Sequence, residues 1–411
     1  MAERPTPDQM SPIMRAALLR GLTSRRALVS GALGLGATAA LSACGSEGTA
    51  SNPSGSAAPT AAAAKDLSDT DKVINWSNWT QYIDVSEDEK SRPTLDAFTK
   101  QSGIKVNYTE DYNDNDEFYA KVRPLLEGGE DTGRDVWCST DWMVARLIRQ
   151  GYVQKLDTAN IPNAANLEPS LKNVEFDPGR IYSLPWQSGF AGIAYNLDAT
   201  GGKKIETITQ LLTDPSLKGK VTLLTEMRDT VGLVLCDMGK DPANFTDADF
   251  DAAMAVLQKA KDSGQLKGFT GNDYTDGLTK GDIAACIAWT GDVVQLQFEN
   301  DKVQYALPQA GFTLWSDNFV IPALAQHKKN AETLINYYYD PAVMAQVAAW
   351  VNYIPPVVGA KDAVAKDDPE TADNPLIFPS DEVLSRAKVF RGLTAEEETK
   401  YSSAFSDLTA S

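Results

Sequence analysis

Residues 91–108 read Ser91-Arg92-Pro93-Thr94-Leu95-Asp96-Ala97-Phe98-Thr99-Lys100-Gln101-Ser102-Gly103-Ile104-Lys105-Val106-Asn107-Tyr108, and the apolar period changes midway. Pro93 suits the first turn of a helix, Leu95 and Phe98 share a face three residues apart, and Gly103 supplies the stop. Ile104, Val106 and Tyr108 then alternate with Lys105 and Asn107, the period of a half-buried strand. On the N-terminal side Val73-Ile74-Asn75-Trp76 is another short strand. On the C-terminal side Phe118, Val122, Leu125 and Leu126 form a second helical face that contains Pro124, a kink signal. Asp135-Val136-Trp137-Cys138 returns to a strand, and Asp141 is placed to cap a helix running to Gly151. The alternation breaks near Pro185–Gly189 and resumes with strands at Ala191–Tyr195, Val221–Leu224, Ile283–Trp289 and Phe319–Ile321. Thr246-Asp247-Ala248-Asp249 has the spacing of a capping box. Strands alternating with helices mean α/β architecture, and 411 residues suffice for two such domains.

The formal net charge is −18. Residues 1–44 hold five arginines against Glu3 and Asp8, so the remainder carries 33 basic and 54 acidic side chains. Such a surface repels nucleic acid and favours cationic small molecules. The single histidine, His327, lies in the polar run Gln326-His327-Lys328-Lys329 and reads as a surface loop or helix start, which leaves little material for a histidine-based triad or zinc site. No CxxC spacing occurs among Cys44, Cys138, Cys236 and Cys286, and the last three lie in or beside apolar runs, the setting of buried thiols.

The first 44 residues read as an address. Arg25-Arg26 precedes an uncharged Gly- and Ala-rich stretch, which fits a twin-arginine export signal, although Leu28 stands where such signals usually have Phe; a general secretory signal is the other route. Leu41-Ser42-Ala43-Cys44 resembles a lipobox in which Cys44 takes the lipid. Residues 45–66, rich in Ser, Gly, Ala, Pro and Thr, form a flexible tether. The expected location is therefore outside the cytoplasm, on the outer face of the cell membrane.

Several strand ends combine aromatic rings with carboxylates or hydroxyls: Trp79-Thr80-Gln81-Tyr82, Ser139-Thr140-Asp141-Trp142, Glu226-Met227-Arg228-Asp229, Trp289-Thr290-Gly291-Asp292 and Trp315-Ser316-Asp317-Asn318. Aromatic faces attract ammonium groups by ~0.5–2 kcal/mol each. A carboxylate ~4 Å from an ammonium gains roughly 4 kcal/mol at an effective dielectric of ~20. A flexible organic polycation is the matching ligand. Glu226 and Asp229, three residues apart, share a helix face and also fit a hydrolytic acid–base pair. Asp141 and Asp229 equally fit helix N-terminal positions. Tyr337-Tyr338-Tyr339 reads as a helix packed on the sheet.

Asn78-Trp79-Thr80-Gln81-Tyr82, Trp289-Thr290-Gly291-Asp292 and Trp315-Ser316-Asp317 together resemble the ligand motifs of the spermidine/putrescine-binding proteins of ABC transporters. Phe98–Val106, Leu184-Pro185-Trp186 and Asn352-Tyr353-Ile354-Pro355-Pro356 are further landmarks in the family's order. The resemblance implies a type II periplasmic-binding-protein fold of two lobes with a hinge and a central cleft. The lobes are expected at residues 67–188 with 318–354 and at 189–317 with 355–411, the hinges near Gln187–Gly189 and Trp315–Asn318. It implies a ligand-binding set of Trp79, Thr80, Tyr82, Ser139, Asp141, Glu226, Asp229, Trp289, Asp292, Trp315, Asp317 and Tyr353, no cofactor, and an ABC permease as partner. Two departures stand out: Asp141 replaces the tyrosine of spermidine-preferring members, and Val389-Phe390-Arg391 occupies the place of a C-terminal glutamine. Another organic cation such as thiamine, a lipid-anchored hydrolase using Glu226 and Asp229, and a purely sensory role remain open alternatives at this point.

Overall fold

The computed structural model describes residues 64–86, 90–112 and 114–410. The export signal, Cys44 and residues 45–63 of the tether lie outside the described residues. The longer strands are β1 (Val73–Trp79), β2 (Lys105–Tyr112), β3 (Val136–Thr140), β4 (Ser183–Asn196), β5 (Val221–Leu224), β6 (Leu266–Thr270), β7 (Ala285–Trp289), β8 (Val303–Ala306) and β9 (Phe312–Val320). They form one sheet in the order β2-β1-β3-β9-β4-β7-β5-β6, with β8 beside β4. β1 is parallel to β2 and β3, and β5 is parallel to β6 and β7. Between these parallel groups β9 and β4 run antiparallel to each other and to their outer neighbours β3 and β7.

The two largest cores form on this sheet. The first gathers Ile74, Trp76, Phe98, Val136, Trp186 and Phe319, and the second gathers Phe190, Ile193, Leu223, Val231, Ile287 and Phe312. β4 and β9 each feed both, so they are the spans between two lobes. The first helix, α1 (Pro93–Ser102), has Pro93 in its first turn and Gly103 at φ 72° as its left-handed cap, as its sequence predicts. Thr246 and Asp249 form the expected capping box. On the first lobe α2 (Asn115–Gly128) and α3 (Asp141–Arg149) pack against β2 and β3 through Phe118, Val122, Val144 and Leu147. On the second lobe α4 (Met227–Asp237), α5 (Tyr274–Lys280) and α6 (Thr290–Glu299) follow β5, β6 and β7.

Several expectations change. Pro185–Gly189 is not a break but the middle of β4, whose 14 residues are all buried. Asp317 pairs with Gln187 while Asn318 pairs with Pro185, leaving Trp186 as the extra residue of a bulge; a proline without an N–H is tolerated where the ladder is already interrupted. Trp315–Asn318, expected at a strand end ahead of Phe319–Ile321, lies inside β9. His327 is buried rather than on the surface, with its Nδ1 2.9 Å from an Asp135 oxygen at the start of α7 (Lys328–Tyr338). Residues 355–411 do not all pack on the second lobe. Val357 and Ala360 join the first core, and Val364 and Ala372 pack against Ala345 and Ala349 of α8 (Pro341–Val351). The second core takes up the chain with α9 (Ala395–Ala410), through Tyr401, Phe405 and Leu408.

Tyr338 and Tyr339 are buried against the sheet as expected, and Cys138, Cys236 and Cys286 are free, buried thiols. Among the described residues no helix is long and apolar enough to cross a membrane. Trp186, on the bulge, packs edge-on against Trp76 and Tyr338 at centroid distances of 5.6 and 5.0 Å. Trp186→Ala is expected to cost about 3–5 kcal/mol of stability in equilibrium urea unfolding, because the rings around it cannot collapse into the space. A loss below about 1 kcal/mol would contradict that packing role.

Candidate functional site

Between the lobes lies a cavity of about 580 Å³, and it opens where β1, β3, β5 and β7 end. It is bordered there by Trp79, Thr140, Thr225 and Trp289. Eleven of the twelve predicted ligand-binding residues line it: Trp79, Thr80, Tyr82, Asp141, Glu226, Asp229, Trp289, Asp292, Trp315, Asp317 and Tyr353. Ser139 does not. Its side chain is fully buried, its hydroxyl is 2.9 Å from that of Tyr112, and the next residue, Thr140, faces the cavity instead.

The aromatic wall depends on two glycines. A Cβ on Gly189 would stand 2.6 Å from the Trp315 ring, and one on Gly291 only 2.4 Å from that of Tyr353. Close backbone approach is what these positions require. Tyr353 follows Asn352, the left-handed cap of α8 at φ 61°, and is held in place by paired backbone bonds between Ile354 and Ser188. Its ring meets Trp315 and Tyr82 edge-on at 5.3 and 5.5 Å. The Trp315 indole N–H is buried without a hydrogen-bond partner among the described residues.

Carboxylates dominate the lining, nine of them against the single cation Arg228. Arg228 is already engaged, 3.6 Å from Glu226 and 3.6 Å above the Trp142 ring. The other acids are held mostly by neutral donors. Thr140 donates to Asp317 at 2.6 Å, completing a chain in which Tyr112 donates to Asn115 and Asn115 to Thr140. Trp289 Nε1 and Thr313 Oγ1 donate to the two oxygens of Asp229 at 2.8 and 2.6 Å. Asp292 accepts from Tyr274, Asn272 and Tyr353 at 2.7, 2.9 and 3.0 Å. Asn318 donates to Asp141 at 2.7 Å and in turn accepts from the buried Arg180 at 2.9 Å.

These donors only partly offset desolvation. Burial pushes Asp317 up to about 7 against the pull of Thr140 and Tyr82, and nearby Asp141 and Asp229 push the same way. Glu226 reaches about 8, with burial outweighing the Arg228 charge, and Asp141 reaches about 6. Asp229 and Asp292 are also raised by burial. A cation entering here would reverse these shifts, since an opposite charge favours the ionised form. The acid–base reading of Glu226 and Asp229 is not favoured: both oxygens of Asp229 are occupied, and Glu226 caps α4 through the Arg228 N–H.

The pattern of bacterial extracellular solute-binding proteins matches residues 94–379, more than half of the chain. The chain belongs to that family. Among the relatives of this solute-binding protein, the spermidine/putrescine-binding periplasmic protein of Escherichia coli K12 is 27% identical over 320 residues, covering 78% of this chain and 87% of that one. The putrescine-binding periplasmic protein PotF of the same organism is 29% identical over 336 residues, covering 78% and 86%. The fold matches the Tp0655 (TpPotD) lipoprotein of Treponema pallidum with a TM-score of 0.70 at 20% identity, over 82% of this chain and all of that one. It also matches PotD of Streptococcus pneumoniae with a TM-score of 0.68 at 24% identity, over 82% and 99%. The fold is thus that of the type II periplasmic binding proteins.

Sequence reasoning missed the supporting residues Tyr112, Asn115, Tyr274, Asn272, Thr313 and Asn318. Asn318 lies within the quoted Trp315–Asn318 motif and Thr313 two residues before it, so both were within reach; Tyr274 and Asn272 sit 18 and 20 residues before Asp292 and carry no local signal.

The native protein binds more protons than the unfolded chain between about pH 4 and pH 8, because the raised acids hold protons that the unfolded acids have released. Stability is therefore present below the ordinary carboxylate range and lost as pH rises through these raised values. The ligand-free melting temperature is expected to fall from about pH 5 to pH 8, and Asp317→Asn to flatten the fall near neutrality. A melting temperature that rises over this interval would refute the assignment.

Proposed function

We propose that this chain is the exported, lipid-anchored capture component of an ABC importer and that its ligand is a polyamine such as putrescine or spermidine. The observation that carries this reading is the cavity itself: aromatic walls, nine carboxylates and one arginine already bound to an acid. A flexible chain of methylenes bearing two or more ammonium groups satisfies all of it, with the methylenes against Trp79, Tyr82, Trp289, Trp315 and Tyr353 and the charges at Asp317, Asp229 and Asp292. The names of its relatives support the same ligand class.

Capture proceeds by closure. The lobes hinge where β4 and β9 leave one core for the other, near Gln187–Gly189 and Trp315–Asn318. The ligand shifts the open–closed equilibrium only through contacts it makes better in the closed form. The closed form then docks on permease subunits in the membrane. Asp317, in contact with both hinge strands and the first lobe, is the principal ammonium partner. Asp141, backed by Asn318 and Arg180, adds a charge whose strength sets preference among amines. Cys44 carries the lipid and the tether lets the lobes stand off the surface; export follows the twin-arginine route.

Calorimetry with putrescine, cadaverine, spermidine and spermine tests the ligand class, and absence of binding to all four overturns it. Asp317→Asn is expected to lose about 2–5 kcal/mol of affinity for the best of them, as when one partner of a desolvated charge pair is removed. Wild-type affinity in that variant would mean the charge is met elsewhere. Cys44→Ser is expected to move the protein from the membrane fraction to the soluble exported fraction on cell fractionation; retention in the membrane would refute the anchor.

A further inference from the structure

Glu398 lies outside the cavity lining, on α9, yet it is the acceptor for three arginines from two lobes. Arg146 and Arg149 of α3 approach its two oxygens at 2.9 Å each, and Arg228 of α4 approaches at 3.3 Å. α3 belongs to the first lobe through Met143, Val144 and Leu147, whereas α4 and α9 belong to the second through Val231, Tyr401 and Phe405. The carboxylate therefore joins the lobes, as Tyr353 with Asp292 and Gln295 with the Val351 carbonyl also do. Its side chain is only 11% exposed, and those of Arg146 and Arg228 are 13% and 9% exposed, so solvent screens the cluster weakly.

The arginines would repel one another without it. Asp116 takes one nitrogen of Arg146 at 2.8 Å, and Glu398 is the acid that meets all three guanidinium groups. Trp142, from the first lobe, is set between two of them: the Arg228 guanidinium is 3.6 Å from its ring centre and that of Arg146 4.9 Å. Arg228 reaches across the cleft to an indole of the opposite lobe because Glu398 holds it there.

We propose that Glu398 is a positioning residue for ligand retention. It acts through Arg228 and the α3 arginines to stabilise the closed arrangement of the lobes, and it touches no ligand. Removing its charge frees Arg228 and the α3 arginines and weakens closure. Ligand then escapes faster, while entry into the open cleft is unchanged. The proposal rests on the capture-and-closure reading above.

The test compares the wild-type protein with Glu398→Gln and Arg149→Gln, using stopped-flow fluorescence with putrescine and spermidine. Glu398→Gln is expected to dissociate about tenfold faster, the equivalent of about 1.4 kcal/mol, with an association rate within about twofold of wild type. Arg149→Gln alters a side chain 42% exposed whose recorded ion pair is with Glu398, so it folds as wild type and shows a smaller acceleration of the same sign. Unchanged dissociation in both variants overturns the proposal. So does a Glu398→Gln variant that lowers only the melting temperature. If Glu398→Gln does not fold, Arg149→Gln decides alone. If the wild-type protein binds neither amine, the ligand assignment has failed instead. Small-angle scattering of the ligand-free proteins then tests the cluster: a larger radius of gyration in the variants supports it, and identical profiles overturn it.

Discussion

The antiparallel pairing of β4 with β9 is the constraint on which the rest of the molecule depends. Both strands are shared between two hydrophobic cores, so neither lobe can form its interior without them. Their pairing also sets the site. The bulge that admits Pro185 and Trp186 falls at Asp317/Asn318, and it sends Asp317 toward the cavity while Asn318 turns to Arg180 and Asp141. A slip of one residue would exchange these faces and place the carboxylate in a core. Register in the spans between lobes therefore sets which carboxylate faces the cavity.

The chemistry of the cleft follows from how its acids are held. Thr140, Tyr274, Tyr353, Trp289 and Thr313 donate hydrogen bonds without adding positive charge. Such donors orient a carboxylate and lower the cost of desolvation but leave its charge available. An arginine at each acid would have neutralised the site. Arg228, the single cation of the lining, is instead bound to Glu226 and Glu398 and laid on Trp142. Burial therefore holds these acids above the ordinary carboxylate range, a shift that an opposite charge in the cleft would reverse.

Local chemistry made much of this legible. Pro93 and Gly103 bound their helix, the Thr246 box caps its own, and the aromatic–acidic motifs at strand ends do converge because parallel strands end on one side of a sheet. The failures have physical causes. Trp315–Asn318 carries polar residues inside a strand because it crosses between lobes, where one face is a cleft and not a core. Ser139 looked like a cavity hydroxyl, yet strand alternation turns it inward and exposes Thr140. His327 sits in a polar run, but the buried carboxylate of Asp135 draws it inside.

The sequence by itself determined the α/β class, the bounds of α1 and the aromatic–acidic motifs that meet in the cleft, since each is written in short local patterns. Only the tertiary structure decided which chain segments serve which lobe, which donors hold each acid, and that Glu398 meets arginines 170, 249 and 252 positions away. Those relations depend on long-range pairing and on desolvation, and neither can be read from spacing along the chain.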